Sequence, residues 1–235
     1  MAKNPLGKLA PAAIGMMELP RLESAILSRY RALGDLTGTT SDALDECDIA
    51  GVVPGSLLKP TDAGARIVGQ AITVLNRLVS ARRKVSGLAD IEAHNLAEPG
   101  DVLVVQGVPN VSSMGGVSAS VGKRQGEAGA IVDGAVRDID HSRSIGYPIW
   151  CSSVSPITGK WRIETMAVND PVHIAGIEVR PGDLVVADEC GVCFVPYARA
   201  AEVLAIAERL AASEKVRLQS LAAGIPLAEF LKLPR

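Results

Sequence analysis

A layered α/β fold with a mixed sheet is what this sequence predicts, and three observations predict it. Hydrophobic residues make up 48% of the 235, yet only two Trp, three Tyr and two Phe are among them. The core is therefore built from Val, Ile, Leu and Ala, as in buried sheets flanked by helices. Aliphatic runs of strand length alternate with helical periodicities in the first half, and short strands with Gly/Pro turns fill 147–196. No linker or composition shift divides the chain, which reads as one domain with terminal extensions.

Several function classes fall away on charge and patterning. The formal net charge is −2 with both signs interspersed, so there is no basic field for nucleic acid and no polybasic segment for a membrane surface. No apolar run is long enough to span a bilayer, and the N-terminal residues lack a signal-peptide apolar region. Cys47, Cys151, Cys190 and Cys193 are too sparse for a disulfide framework, and cytoplasm is the expected location.

The elements follow in order. Residues 1–19 read as a loose arm. Leu22, Ile26, Leu27, Tyr30 and Leu33 share one helical face. Thr39-Thr40-Ser41-Asp42 reads as the cap of a short helix. After a loop with Pro54, Gly55 and Pro60, a strand is expected over 67–75 and a helix over 84–97. Pro99-Gly100-Asp101 launches a strand over 102–105, and Pro181-Gly182-Asp183 launches another over 184–187 by the same turn chemistry. Gly115-Gly116 opens a helix towards Gly126, and 128–132 is a further buried strand. The last forty residues are helical, with Leu204, Ile206, Leu210, Val216, Leu218 and Leu221 as apolar contacts and a stop at Gly224.

The strongest chemical signal is Asp133-Gly134-Ala-Val-Arg137-Asp138, which leaves that buried strand. Ligands of open α/β sheets bind at the carboxyl ends of strands. Arg137 offers a planar fork for a carboxylate, and a lone Asp138 with open positions suits water-rich Mg²⁺ or Mn²⁺ rather than zinc. On spacing alone an ordinary salt bridge is the stronger reading. Gly115-Gly116-Val117-Ser118 would leave backbone N–H groups free for an anion, although taken alone a tight turn without a ligand is the stronger reading. Cys190-Gly-Val-Cys193 lacks a second Cys pair or a spaced His and reads as strand core. His141, three residues after Asp138, could share a cleft with it or lie in solvent, while His94 and His173 have no partner that the sequence names. The basic run Arg82-Arg83-Lys84 is expected to solvate a helix start, or to steer a di- or tri-acid. No lysine lies inside an apolar strand, which favours a metal over a Schiff base as electron sink.

These residues resemble the family of 4-hydroxy-4-methyl-2-oxoglutarate / 4-carboxy-4-hydroxy-2-oxoadipate aldolases, which also contains the regulator of ribonuclease E activity A. The resemblance runs from about Ser41 to Gly224 through Ser41-Asp42-Ala-Leu, Gly69-Gln-Ala-Ile-Thr-Val74, Pro99-Gly-Asp101, Asp133-Gly-Ala-Val-Arg137-Asp138 and Pro181-Gly-Asp-Leu-Val-Val-Ala-Asp188. It implies an α/β/β/α sandwich of the swivelling phosphohistidine-domain type. It also implies a homotrimer or homohexamer with sites between subunits, an arm over 1–19, a domain over 20–197 and a C-terminal extension over 198–235 packing on a neighbour. By the same resemblance Asp138 holds Mg²⁺ or Mn²⁺, Arg137 binds substrate, and backbone amides around Gly115, Gly116, Val117 and Ser118 hold a pyruvyl carboxylate. Glu214, from a neighbour's C-terminal helix, completes the site.

Two positions depart from the family pattern. Gly116 stands where the aldolases usually carry an acid near the metal waters, and Cys190 stands where an acid often follows Asp188-Glu189. Residues and resemblance together lead to the expectation of a metal-dependent lyase acting on a small 2-oxo acid through a pyruvate enolate, by aldol cleavage or oxaloacetate decarboxylation. The alternative is a non-catalytic binding protein that regulates a ribonuclease; relatives of that kind commonly lack the Asp of the Arg-Asp pair.

Overall fold

The computed structural model describes residues 3–82 and 84–234. Helix α1 (Ser24–Arg31) carries the anticipated face, with Tyr30 and Leu33 buried and Leu22, Ile26 and Leu27 packed beside them. Helix α2 (Leu36–Glu46) starts a turn earlier than expected. Its cap is Asp35, whose carboxylate accepts from Gly38 N at 3.2 Å, and Thr39 and Thr40 lie buried inside the helix. Thr40 can sit there because its hydroxyl bonds back to the Leu36 carbonyl at 2.7 Å.

Short strands β1 (Val52–Pro54) and β2 (Lys59–Pro60) precede the long β3 (Ile67–Leu78). Helix α3 covers Asp90–Leu96, shorter than the expected 84–97, because the chain around Gly87 is extended and bridges to Glu164 instead of coiling. Of the basic run ahead of it, Arg83 lies outside the described residues, and Arg82 stacks 4.7 Å from the Trp161 ring centre. Next come β4 (Val102–Gln106), β5 (Ser112–Met114), α4 (Gly116–Gln125), β6 (Gly129–Val136), α5 (Ile139–Ser144) and β7 (Ile149–Val154). The second half adds β8 (Ile163–Val168), the hairpin β9 (Val172–Ile174) and β10 (Ile177–Val179), then β11 (Leu184–Asp188) and β12 (Gly191–Val195). Helices α6 (Ala200–Ala222) and α7 (Leu227–Phe230) end the described chain.

The main sheet runs β1-β12-β11-β3-β4-β6-β7-β2, with β5 on β6 and β8 on β3. Strands β3, β4, β6 and β7 are parallel, while β11, β12, β1 and β2 join antiparallel. Strand β3 belongs to both halves: Ile67–Gln70 pair with β11, and Ala71–Leu75 pair with β4. The pleat then sorts the side chains into three apolar layers. Ala71, Val102, Val104 and Ile131 meet Val185, Ala187 and Phe194 between the two halves of the sheet. Ile72, Leu103, Val105 and Val132 face outward to Ala93, Leu96 and Ala119 of α3 and α4. On the opposite side Val186, Cys193 and Val195 pack on Tyr30, Leu44, Val203 and Leu204 of α1, α2 and α6. The result is a mixed α/β fold with helices on both outer faces.

One expectation about the termini changes. The arm is not loose: Ile14 and Leu19 are buried in the core beneath α3, and Glu92, fully buried, accepts the backbone N–H groups of Leu6 and Lys8. At the other end Ala200, Val203, Leu204 and Ala207 dock α6 on its own chain, while Val216, Leu218 and Leu221 remain exposed. Among the described residues, no helix is long and apolar enough to cross a membrane.

Candidate active-site cleft

Strand β6 runs four residues further than the sequence suggested, past a register shift between Val132 and Ala135, so Arg137 and Asp138 leave its carboxyl end directly. Asp133 is not part of that end; its carboxylate accepts from Ala175 N at 2.7 Å and fastens the β9–β10 hairpin. Asp138 adopts left-handed dihedrals (φ 57°, ψ 40°), a conformation that Asp tolerates better than most side chains. It stands at the N-cap of α5 yet does not cap it. Instead Oδ2 accepts from Gly116 N at 2.9 Å, tying the strand end to the start of α4.

Arg137 is anchored by its own N–H to the Met114 carbonyl at 3.1 Å, and its Nε lies 3.6 Å from Asp138 Oδ2. Both side chains are nearly half exposed, at 42% and 48%. An exposed pair at that separation contributes at most about 1 kcal/mol to stability, so fold maintenance is a poor explanation of why the two stand there. The glycines allow the close approach: a Cβ on Gly115 would come within 2.9 Å of Asp138 Oδ2, and one on Gly116 within 3.1 Å of the His141 ring.

A cleft of about 460 Å³ opens beside this junction, lined by Arg137, Asp138, the Gly115–Ser118 segment, Asp90, His94, Lys8 and Lys160. The Gly116 amide is already taken by Asp138. The first-turn N–H groups of Val117 and Ser118 have no intrachain acceptor among the described residues, which leaves them for an anion. Asp138 Oδ1 likewise accepts no hydrogen bond among the described residues, and no cluster of three or more His, Cys, Asp or Glu that could hold a metal occurs there. A single open carboxylate with room for water fits hexahydrate-like Mg²⁺ or Mn²⁺ and does not fit a closed zinc site.

Sequence reasoning missed the far wall. His94 is buried, with Nδ1 2.7 Å from Glu127 Oε1 and Nε2 2.9 Å from Ser118 Oγ. Burial lowers its pKa, but the hydrogen bond and charge of Glu127, together with the charge of Asp90, outweigh burial and raise it above 6.5. The Tyr147 hydroxyl donates to Glu127 Oε2 at 2.5 Å; burial and that carboxylate push its pKa well up. The helical spacing of Asp90 and His94 was the available signal, but Glu127 and Tyr147 lie far along the chain.

Other expected residues lie elsewhere. His141 packs against Gly116 and is 2.8 Å from Ser120 Oγ, outside the cleft lining. Glu214 lines a separate groove with Asp35 and Thr39, so one chain alone does not bring it to Asp138. Cys193 is strand core, as anticipated, with burial raising its pKa to about 12; Cys190 is exposed in the turn before β12.

Comparison with known proteins shows the family. Residues 37–194 match the family model described as RraA-like, Aldolase/RraA. A Halalkalibacterium halodurans protein named "Putative 4-hydroxy-4-methyl-2-oxoglutarate aldolase" is 30% identical over 209 residues, covering 88% of this chain and 93% of its own. A Thermus thermophilus protein named 4-hydroxy-4-methyl-2-oxoglutarate aldolase is 31% identical over 103 residues, 41% of this chain and 60% of its own. Among solved structures, Streptomyces coelicolor RraAS2, described as an unusual member of the RNase ES inhibitor RraA protein family, superimposes with a TM-score of 0.74 at 30% identity. That superposition covers 85% of this chain and 98% of the Streptomyces chain. With the family model matching well over half of its length, this chain belongs to the RraA-like, Aldolase/RraA family.

Proposed function

We propose that the cleft is the active site of a divalent-metal-dependent carbon–carbon lyase acting on a small 2-oxo acid, as a 4-hydroxy-2-oxo acid aldolase, an oxaloacetate decarboxylase, or both. The observation that carries this reading is the half-exposed Asp138, held by Gly116 N through one oxygen and open at the other, beside the Arg137 fork. The aldolase names of the relatives support the reaction class. The four layers, helix, sheet, sheet and helix, fit the swivelling phosphohistidine-domain type, and we read the fold so.

Asp138 would hold Mg²⁺ or Mn²⁺, which supplies Lewis-acid stabilisation of enolate charge when bound. The N–H groups of Val117 and Ser118 orient the carboxylate next to the 2-oxo group, since they point from a helix start with no acceptor of their own. Arg137 clamps a further oxygen of the substrate, on the fragment that leaves. Lys8 and Lys160 give the cleft a positive rim that favours a substrate with more than one carboxylate.

Pyruvate release from oxaloacetate and from 4-hydroxy-4-methyl-2-oxoglutarate tests the proposal. Release that needs added Mg²⁺ or Mn²⁺ and disappears in Asp138→Ala, with the fold intact by circular dichroism, is the expected result. Activity unchanged in Asp138→Ala at saturating metal removes the assignment. A second reading, a non-catalytic regulator of a ribonuclease, is kept by the likeness to Streptomyces RraAS2, a member of an RNase ES inhibitor family. It predicts no turnover of either acid under the same conditions.

A further inference from the structure

The cleft contains a carboxylate that the mechanism above leaves unused. Among the described residues lining it, the acids are Asp138 and Asp90, and Asp90 opens α3 with its side chain 23% exposed. Asp90 Oδ2 accepts the Ser118 hydroxyl at 2.5 Å. Ser118 has one proton to give and gives it to Asp90, so His94 Nε2 at 2.9 Å must donate to the serine oxygen. His94 Nδ1 faces Glu127 Oε1 at 2.7 Å and must donate as well. With both nitrogens donating, the ring is an imidazolium, in keeping with its raised pKa. The chain therefore reads Asp90 carboxylate, Ser118 hydroxyl, His94 imidazolium, Glu127 carboxylate, Tyr147 hydroxyl, and only its Asp90 end reaches far into the cleft.

A purely structural role is a weak account of such a chain. Buried charges are costly, and apolar side chains of similar size would hold α3 on α4 as well or better. A charged network with one end open to a substrate-sized cleft suits proton transfer. The groups facing His94 are Asp90, one turn away on its own helix at 3.9 Å, Ser118 from α4, and Glu127 beyond α4. Tyr147, ahead of β7, reaches the same Glu127, and Lys8 of the arm lines the same cleft.

We propose that Asp90 is the proton-transfer group of this cleft, with Ser118 and His94 as positioning residues that keep it aimed. The proposal rests on the lyase reading. In an aldol cleavage the Asp90 carboxylate takes the proton of the substrate hydroxyl. The electron pair of the breaking C–C bond passes to the carbon that becomes the enolate, and the hydroxyl oxygen becomes the carbonyl oxygen of the leaving fragment. The Asp90 carboxyl then returns that proton to the enolate carbon, so atoms and charge balance without a co-reactant. In a decarboxylation the departing group is CO₂, and the proton that Asp90 delivers comes from water.

The test uses the full chain with Mg²⁺ and follows exchange of pyruvate methyl protons with D₂O by NMR. Asp90→Asn should slow exchange by about a hundredfold to ten-thousandfold at nearly unchanged half-saturation by pyruvate, and Asp90→Glu should restore part of the rate. His94→Gln should retain exchange at unchanged half-saturation by pyruvate, with the rate lowered by less than in Asp90→Asn, because Ser118 loses part of the hydrogen bonding that aims its hydroxyl at Asp90. Wild-type exchange in Asp90→Asn, with Asp138→Ala inactive, would overturn this proposal and leave the lyase reading standing. A wild-type protein without metal-dependent exchange overturns both. One measurement needs no turnover: ¹⁵N shifts of the His94 ring, assigned with His94→Gln, should show both nitrogens protonated at pH 6.5. A ring already neutral at pH 6.5 also sinks the proposal, whatever the folding yield of the Asp90 variants.

Discussion

Arg137 and Asp138 illustrate how little a residue's neighbour in sequence says about its work. Their mutual ion pair is half exposed, so its loss should scarcely move the melting temperature. Replacing Arg137 by Lys keeps the charge and removes the planar fork. The expected outcome is a fall in kcat/KM of about tenfold to a thousandfold, with thermal unfolding unchanged. A variant that melts early at full specific activity would return Arg137 to the salt-bridge reading. Asp90 makes a sharper distinction between substrates. A hydroxyl must be deprotonated in aldol cleavage, whereas decarboxylation needs a proton donor only after the bond has broken. Asp90→Asn should therefore depress cleavage of 4-hydroxy-4-methyl-2-oxoglutarate more than pyruvate release from oxaloacetate, measured at one Mg²⁺ concentration. Equal losses would mean that hydroxyl deprotonation falls to another group. Gly116, the departure from the aldolase pattern, is matched to its surroundings, since a side chain there would press on the His141 ring.

At the scale of elements, the turns were the most legible features. Pro99-Gly100-Asp101 and Pro181-Gly182-Asp183 form the same turn, with Gly100 and Gly182 at φ +91° and +89°. In both, the Asp carboxylate accepts the N–H three residues back, from Glu98 at 2.7 Å and Arg180 at 2.8 Å. Pro and Gly have the backbone preferences this turn requires, so the local sequence suffices. Helix α3 was less legible, because pairing of the Gly87 segment with β8 displaces its start, and β8 is remote in sequence. The arm was misread for a related reason: nothing within residues 1–19 announces that Glu92 will accept two of its amides. Glu92→Ala should cost about 1–3 kcal/mol, several degrees in melting temperature, by leaving those donors unpaired. Because Lys8 lines the cleft, KM for a 2-oxo diacid should rise as well. A lowered melting point with unchanged KM would confine the arm to stability.

At the scale of the whole molecule, Glu214 and Asp138 stand apart within one chain. Glu214 lies in its own chain's groove against α1 and α2, away from the cleft, and the helix beyond it exposes Val216 and Leu218 at 52% and 59%. Near the cleft Val117 and Val154 are exposed at 83% and 60%. Apolar surface at both places motivates the proposal that subunits assemble with one chain's α6 reaching another's Asp138. Mixing inactive Asp138→Ala subunits with inactive Glu214→Ala subunits tests it. Shared sites regain activity after subunit exchange, since some interfaces then carry both native residues. Sites built within one chain regain none, and a fully active Glu214→Ala variant would end the proposal at once.

What the sequence by itself determined was local: the aliphatic strands, the Pro-Gly-Asp turns, the face of α1, and the placing of Arg137-Asp138 beyond a buried strand. Each depends on periodicity, or on backbone preferences within a few residues, and both are visible in one sequence. Tertiary structure alone decided the rest. It carried β6 on to Val136, turned Asp138 from its helix cap to the Gly116 amide, and buried His94 between Ser118 and Glu127. Those outcomes follow from groups 22 to 33 residues apart meeting across packed elements, where hydrogen bonds between remote partners outweigh local preference.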